Sequence, residues 1–262
     1  MPSLVKKLAN RMGYELKRKY GNMPALDFLE TLMLGAAAAK GVLNVVQVGA
    51  NDGRHSDPIH RFLMDYRHCT RALLIEPQPE LITHLEASYA AHPRATVFNG
   101  AIGSGGDLVL HRIRPELWQD FRVSYQKGAP AYRAPSGLTS ANRAHVVAAA
   151  ARHLGKGTDA DAAVEELRVP CIELAPLLQA QDFPGEVHVL QVDAEGADDQ
   201  VLYACNIDTL RPSIINFESK HLPAQRKSDL YAFLAGFGYE LFPWNKTDTA
   251  ALRVAAPPDP VS

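Results

Sequence analysis

The stretch Val45-Val46-Gln47-Val48-Gly49-Ala50-Asn51-Asp52-Gly53 reads as a buried β-strand that breaks into a glycine-containing turn. Twenty-three residues beyond Gly53, the apolar run Ala72-Leu73-Leu74-Ile75 ends on Glu76-Pro77. A strand, a tight glycine turn, a helix and a second strand closed by a carboxylate make the first half of a nucleotide-binding α/β fold. In that arrangement the turn lets the backbone approach a ligand, and the carboxylate accepts hydrogen bonds from ribose hydroxyls.

The bulk of the chain narrows the class of protein. With 262 residues, 47% hydrophobic and 21% charged, it has the composition of a soluble globular protein with one large domain and appendages. A net charge of −2 supplies no field that would gather nucleic acid, so no nucleic-acid partner is expected. No apolar run reaches membrane-spanning length, and the start Met1-Pro2-Ser3-Leu4-Val5-Lys6-Lys7 lacks the apolar core of a signal peptide. Cys69, Cys171 and Cys205 are far apart without metal-like spacing, as in proteins of a reducing cytoplasm.

The first twenty residues hold six Lys or Arg and one acid, with Leu4, Leu8, Met12 and Leu16 recurring every fourth position. This is a basic amphipathic helix, suited either to an anionic inner membrane surface or to packing on the domain or a second subunit. A second helical stretch runs from Pro24 to about Ala39, so residues 1–40 form an N-terminal helical extension. From Gly41 to about residue 255, strands and helices alternate as a mostly parallel sheet requires. Strands are expected at Ala95–Asn99, Asp107–Ile113, Val169–Glu173, His188–Val192 and Ser213–Phe217. A final hairpin of Tyr239–Phe242 and Ala250–Val254 makes the sheet's last edge antiparallel. Asp57-Pro58 suits a helix start, with Asp as the cap. Residues of about 114–167 do not read as sheet and form a lid-like insertion with an Ala-rich helix from Ala141 to Leu154, capped by Thr139 or Ser140. Its arginines, with Arg112, Arg114, Arg122 and Arg133 set among aromatic residues, suit either an anionic group on a substrate or a solvated loop. Residues 256–262, rich in proline, form a disordered tail.

A dinucleotide site uses three glycines as G-x-G-x-x-G. Here only Gly49 and Gly53 are present, Asn51 replaces the second glycine, and Asp52 stands where a phosphate would approach. That disfavours NAD and leaves a nicotinamide-dependent oxidoreductase, or a non-catalytic nucleoside-binding module, as alternatives. Two more acids, Asp193 and Glu195, end the run Val189-Leu190-Gln191-Val192, where open α/β sheets bind ligands. Glu195 also suits the N-terminus of the helix from Asp198. A cleft holding Asp52, Glu76, Asp193 and Glu195 suits a cationic, hydroxyl-rich ligand such as S-adenosylmethionine.

The blocks QVGANDG, LLIEPQPE, TVFNGAIG, VPCIEL followed by APLL, LQVDAEGADDQVL, IINFESKHL and GYELF occur in this order, and the likeness they carry covers roughly residues 41–255 apart from the insertion. Together they resemble the FkbM family of S-adenosylmethionine-dependent methyltransferases. The resemblance implies a Class I methyltransferase fold, Rossmann-like and doubly wound, with a seven-stranded sheet whose last strand is antiparallel. It also implies O-methylation of a sugar, glycan or small natural product. By position, Gly49, Ala50, Asn51, Asp52 and Gly53 would hold the amino-acid part of the cofactor and Glu76 its ribose. Pro77 and Gln78 would line the adenine side, Asn99, Gly100 and Ala101 would flank the adenine, and Asp193 would face the methionine moiety or the reacting centre. Gln47 departs from the acid that many methyltransferases carry there.

A hydroxyl acceptor must lose a proton, which calls for a nearby base. Asn216-Phe217-Glu218 leads into Ser219-Lys220-His221 at the ligand end of the sheet, and His221 is the first candidate. Asp193 and Glu218 end neighbouring strands. They either hydrogen-bond within the site, the favoured role, or share a Mg²⁺ that acidifies the acceptor. Asp248 either reaches the acceptor or forms the last turn.

Overall fold

The computed structural model describes residues 26–123 and 128–254. The basic segment 1–20, Pro24 and the tail 256–262 lie outside the described residues. Helix α1 (Phe28–Lys40) is capped by Asp27, where a capping box forms: Asp27 accepts from the Glu30 amide at 2.8 Å and Glu30 accepts from the Asp27 amide at 3.0 Å.

The main sheet holds seven strands in the order β3-β2-β1-β7-β8-β10-β9. These are β1 (Leu43–Val48), β2 (Thr70–Glu76), β3 (Ala95–Asn99), β7 (Val189–Val192), β8 (Ile214–Glu218), β9 (Tyr239–Pro243) and β10 (Asp248–Arg253). All neighbouring pairs from β3 to β8 are parallel. Strand β10 runs antiparallel between β8 and β9. The reversed strand is thus the last in sequence and sits one place in from the edge, which β9 occupies.

Every residue of β1 is buried, because the sheet is covered on both faces. Val46 and Val48 join one core with Leu190, Val192, Ile215 and Phe217, while Leu43 and Val45 join the other with Leu29, Met33 and Phe62. Helix α2 (His60–Asp65) starts three residues after Asp57, yet Asp57 still accepts from the Ile59 and His60 amides, each at 2.8 Å. Helix α3 (Pro79–Ser88) buries Leu81 and Leu85.

Strand β5 (Gly106–Ile113) and the run ending at Glu173 do not join the main sheet. They form a separate three-stranded sheet, β4-β6-β5, with β4 (Ala101–Ile102) and β6 (Val164–Ile172). The last residues of the expected insertion are therefore strand. The rest of it holds a 3₁₀ helix (Pro115–Asp120), α4 (Arg133–Ser136) and α5 (Arg143–His153) around a small core of Ile113, Trp118, Phe121, Val146 and Leu154. Asn142 caps α5, not Thr139 or Ser140: its side chain accepts from the His145 amide. The chain continues through α6 (Leu174–Ala180), α7 (Asp198–Ala204), α8 (Ile207–Leu210) and α9 (Ala224–Gly236).

Candidate active site

Strands β1 and β7 end side by side, and the turns that follow them meet. Gly49 has φ +80°, and a Cβ there would stand 1.9 Å from the Asp193 carbonyl oxygen. Only glycine fits. Gly53, at φ +65°, is pressed against Leu85 and Tyr89 of the α3 region, where a Cβ would come within 2.4 Å of Leu85 Cδ1. Between them Asn51 adopts φ +50°, a left-handed conformation that asparagine tolerates better than most residues.

Asn51 donates its amide to Glu76 Oε2 at 2.7 Å, and the Gln78 amide donates to Glu76 Oε1 at 2.9 Å. The Glu76 carboxylate thus ties the first turn to the second. Its almost complete burial pushes its pKa up to about 7, against the pull of those amide donors. Asp52 is spent on the loop: its carboxylate accepts from the Arg54 and His55 amides at 3.0 Å, from Tyr132 Oη at 3.2 Å, and pairs with His55 Nδ1 at 2.6 Å. Desolvation opposes ionisation here, yet the His55 and amide hydrogen bonds outweigh it and lower the Asp52 pKa. Asn99 donates to the carbonyls of Glu76 and Pro77, fixing the end of β2.

Above this floor lies a cavity of about 610 Å³. Of the residues expected at the cofactor, Gly49, Pro77, Gln78, Gly100, Ala101, Asp193 and Glu195 line it. Ala50, Asn51, Asp52, Gly53, Glu76 and Asn99 do not line it and instead support the residues that do. The insertion closes one side with Ser136, Thr139, Ser140 and Ala141. It is pinned there through Gln78, whose Nε2 donates to the Ser136 carbonyl at 3.0 Å and whose Oε1 accepts from Thr139 Oγ1 at 2.8 Å. Leu108, Leu110 and Tyr203 add apolar wall from elements that the sequence did not tie to the site.

A second cavity of about 290 Å³ shares Asp193 and Glu195 with the first. Glu218, Lys220, His221 and Asp248 line it, as do Arg133 of the insertion and Ser56 and Pro58 of the loop after β1. Three residues singled out for catalysis, His221, Asp193 and Glu218, therefore meet in one space. His221 Nε2 is 3.7 Å from Glu218 Oε1. Burial lowers the His221 pKa, with help from Lys220 and His145. The carboxylates move the other way, with burial the main cause in each: Asp193 rises to about 6, with Asp248 and Asp57 adding to the rise and Arg133 opposing it, Glu218 rises to about 7 beside Asp193 and Asp248, and Glu195 rises well above its ordinary value beside Asp193 and Glu218. Among the described residues, Asp193 Oδ1 and Glu218 Oε2 are shielded from solvent without a hydrogen-bond partner.

Of the insertion's arginines, Arg133 alone reaches the site. Arg112 pairs with Glu80 and with Glu165 at 2.9 Å, Arg114 pairs with Glu165 at 3.5 Å, and Arg122 is exposed. The aromatic residues Trp118 and Phe121 pack beneath them as core. Gln47 donates to Asp57 Oδ2 at 2.9 Å and orders the loop.

The strand order, with its reversed strand inserted beside the far edge, defines a Class I methyltransferase fold, and the cavities open at the carboxyl ends of its parallel strands. A family model described as the Methyltransferase FkbM domain matches residues 47–241. The chain belongs to the FkbM methyltransferase family, whose methyl donor is S-adenosylmethionine. Among solved structures, it is similar to the precorrin-6y C5,15-methyltransferase from Geobacter metallireducens GS-15 at 8% identity, over 90% of this chain and 93% of that one, with a TM-score of 0.41. It is also similar to the SAH-bound methyltransferase PaMTH1 of Podospora anserina, at 9% identity over 88% and 80% of the two chains, with a TM-score of 0.42. A methyltransferase from Geobacter sulfurreducens matches at 12% identity over 95% and 85%, with a TM-score of 0.38. No curated protein matches the chain.

Proposed function

We propose that the protein transfers a methyl group from S-adenosylmethionine to a hydroxyl of a sugar, glycan or small natural product. One observation carries this reading: Asp193 and Glu195 line both cavities, so the larger space and the smaller space meet at the end of β7. The larger, with its walls of backbone and apolar side chains, has the size of a cofactor pocket. The Gly49 turn, which has no room for a side chain, suits a cofactor held by backbone. The smaller is lined mainly by charged and polar side chains that can hold a hydroxyl-rich acceptor.

S-adenosylmethionine supplies an electrophilic methyl group on a positively charged sulfur. The residues of the chain then have two tasks. Asp193 and Glu195 orient and balance positive charge where the cavities join, and the group facing the acceptor takes its proton as the oxygen–carbon bond forms and the carbon–sulfur bond breaks. His221 is the first candidate for that proton. Its depressed pKa keeps it neutral, and so able to accept, at neutral pH. Asp193 is the second candidate, with one oxygen unpartnered and a pKa raised to about 6.

Incubation of the purified protein with isotopically labelled S-adenosylmethionine and cell extract, followed by mass spectrometry, tests the reading. Label recovered as a methyl ether is the expected result. Label recovered only on nitrogen or carbon would reject O-methylation, and no transfer from a donor that binds would favour a non-catalytic module.

A further inference from the structure

The residues of the smaller cavity form an unusually unbalanced set. Four carboxylates, Asp193, Glu195, Glu218 and Asp248, face two cationic side chains, Arg133 and Lys220, with His221 beside them. Within that set, Glu195, Glu218 and His221 each offer a ligand atom, and the three atoms lie within 4.8 Å of one another. Strands β7 and β8 supply the frame: Glu218 ends β8, and Glu195 follows β7 by three residues. The Glu218 amide is held by Asp198 Oδ1 at 3.2 Å.

We infer that Glu195, Glu218 and His221 form a binding site for a divalent first-row transition-metal ion, of the Mn²⁺ or Zn²⁺ type. Three observations converge on it. The separation of His221 Nε2 and Glu218 Oε1 is 3.7 Å. Two ligands bound to one ion at ordinary metal–ligand distances stand roughly 3–3.5 Å apart, so a small side-chain movement completes the geometry. Among the described residues, Glu218 Oε2 and Asp193 Oδ1 are shielded from water and have no partner, which leaves lone pairs to be satisfied by a cation or by donors that a bound cation brings. The excess of two carboxylates over cations in the cavity matches the charge of a dication.

The donor set also selects among ions. One imidazole with two carboxylates is a mixed nitrogen and oxygen site, which favours Mn²⁺, Fe²⁺ or Zn²⁺ over Mg²⁺. This differs from a Mg²⁺ shared by Asp193 and Glu218, since His221 becomes a ligand and Asp193 stays outside the set. Three protein ligands leave positions open for an acceptor hydroxyl, whose pKa the ion would lower. That role rests on the O-methyltransferase reading; the binding of the ion does not. With His221 bound to the ion, Asp193 is left to receive the acceptor's proton.

The test uses the full-length protein stripped with a chelator and dialysed. Mn²⁺ binding is followed by electron paramagnetic resonance and Zn²⁺ binding by competition with a chromophoric chelator. One saturable site is expected, weakened at least about tenfold in each of Glu218→Gln and His221→Ala, because each change removes one of three ligands. Thermal melts and calorimetry with S-adenosylhomocysteine on the same samples show that the variants are folded. No saturable site in the wild-type protein, or equal affinity in folded Glu218→Gln and His221→Ala, would overturn the inference. Metal binding without any binding of S-adenosylhomocysteine would overturn the methyltransferase reading and leave the metal site standing.

Discussion

Gly49 and Asp193 touch where β1 and β7 end, and the contact leaves no room for even a methyl group between them. The pair sets the spacing of the two turns that frame the larger cavity. Gly49→Ala meets both a left-handed backbone, at φ +80°, and a collision with backbone rather than with a movable side chain. The two costs together are about 2–4 kcal/mol. We expect a lower melting temperature and at least about tenfold weaker binding of S-adenosylmethionine. A variant with wild-type affinity would show that the turn does not shape the cofactor site.

Glu76 makes stability depend on pH. Its pKa is raised from 4.5 to about 7 in the folded protein, so the native state binds more protons than the unfolded state between those values. Stability therefore falls as pH rises from about 4.5 through about 7, by an amount on the order of 1–3 kcal/mol. Urea unfolding of the cofactor-free protein at pH 5.5 and pH 8 measures this. Glu76→Gln should flatten the slope while lowering stability at both pH values, because its amide group cannot accept from both the Asn51 and Gln78 amides. A stability that rises over this range would contradict the assignment.

Two buried hydrogen bonds from Gln78 hold the insertion over the cavity, and one of them is accepted by its Oε1 from Thr139 Oγ1. Thr139→Val keeps the shape and leaves a buried acceptor unpaired, a cost of about 1–3 kcal/mol. The expected outcome is faster proteolysis in the insertion and weaker cofactor binding, with little change in the main sheet's hydrogen-exchange protection. Unchanged proteolysis would mean that the Thr139 bond is dispensable, and that the Ser136 and Tyr132 hydrogen bonds with the packing of Trp118, Phe121 and Val146 hold the insertion.

Much of this was legible in the sequence. The run Val45–Val48 could be read because a strand buried on both faces must be apolar throughout, and Glu76, Asp193 and Glu218 could be placed because each follows such a run. The second sheet could not. Strand β6 carries Glu165, Glu166 and Arg168, so it lacks an unbroken apolar signature, and its partner β5 lies 51 to 65 residues earlier in the chain. The walls given by Ser136, Thr139 and Tyr203 were hidden for a related reason: they reach the cavity through tertiary packing that leaves no local pattern. Asp52 shows the reverse case. Its position suggested a ligand contact, while its spacing to the Arg54 and His55 amides allowed a loop-forming role that the structure realises.

The basic segment 1–20 lies outside the described residues, and its role is a separate question. Among the described residues no helix is long and apolar enough to cross a membrane. Removal of residues 1–20 should reduce binding to vesicles containing anionic lipid, or shift the protein to smaller particles in analytical ultracentrifugation, without altering S-adenosylmethionine affinity. Loss of affinity along with either property would make the segment part of the fold.

Whether the turns after β1 and β7 hold the methyl donor is decided by isothermal calorimetry of the folded protein with S-adenosylmethionine, S-adenosylhomocysteine and NAD. We predict one site for each of the first two ligands, no heat with NAD, and a loss of at least about tenfold in affinity in Gly49→Ala. Binding of NAD alone, or no binding of either S-adenosyl compound by folded protein, would contradict the account.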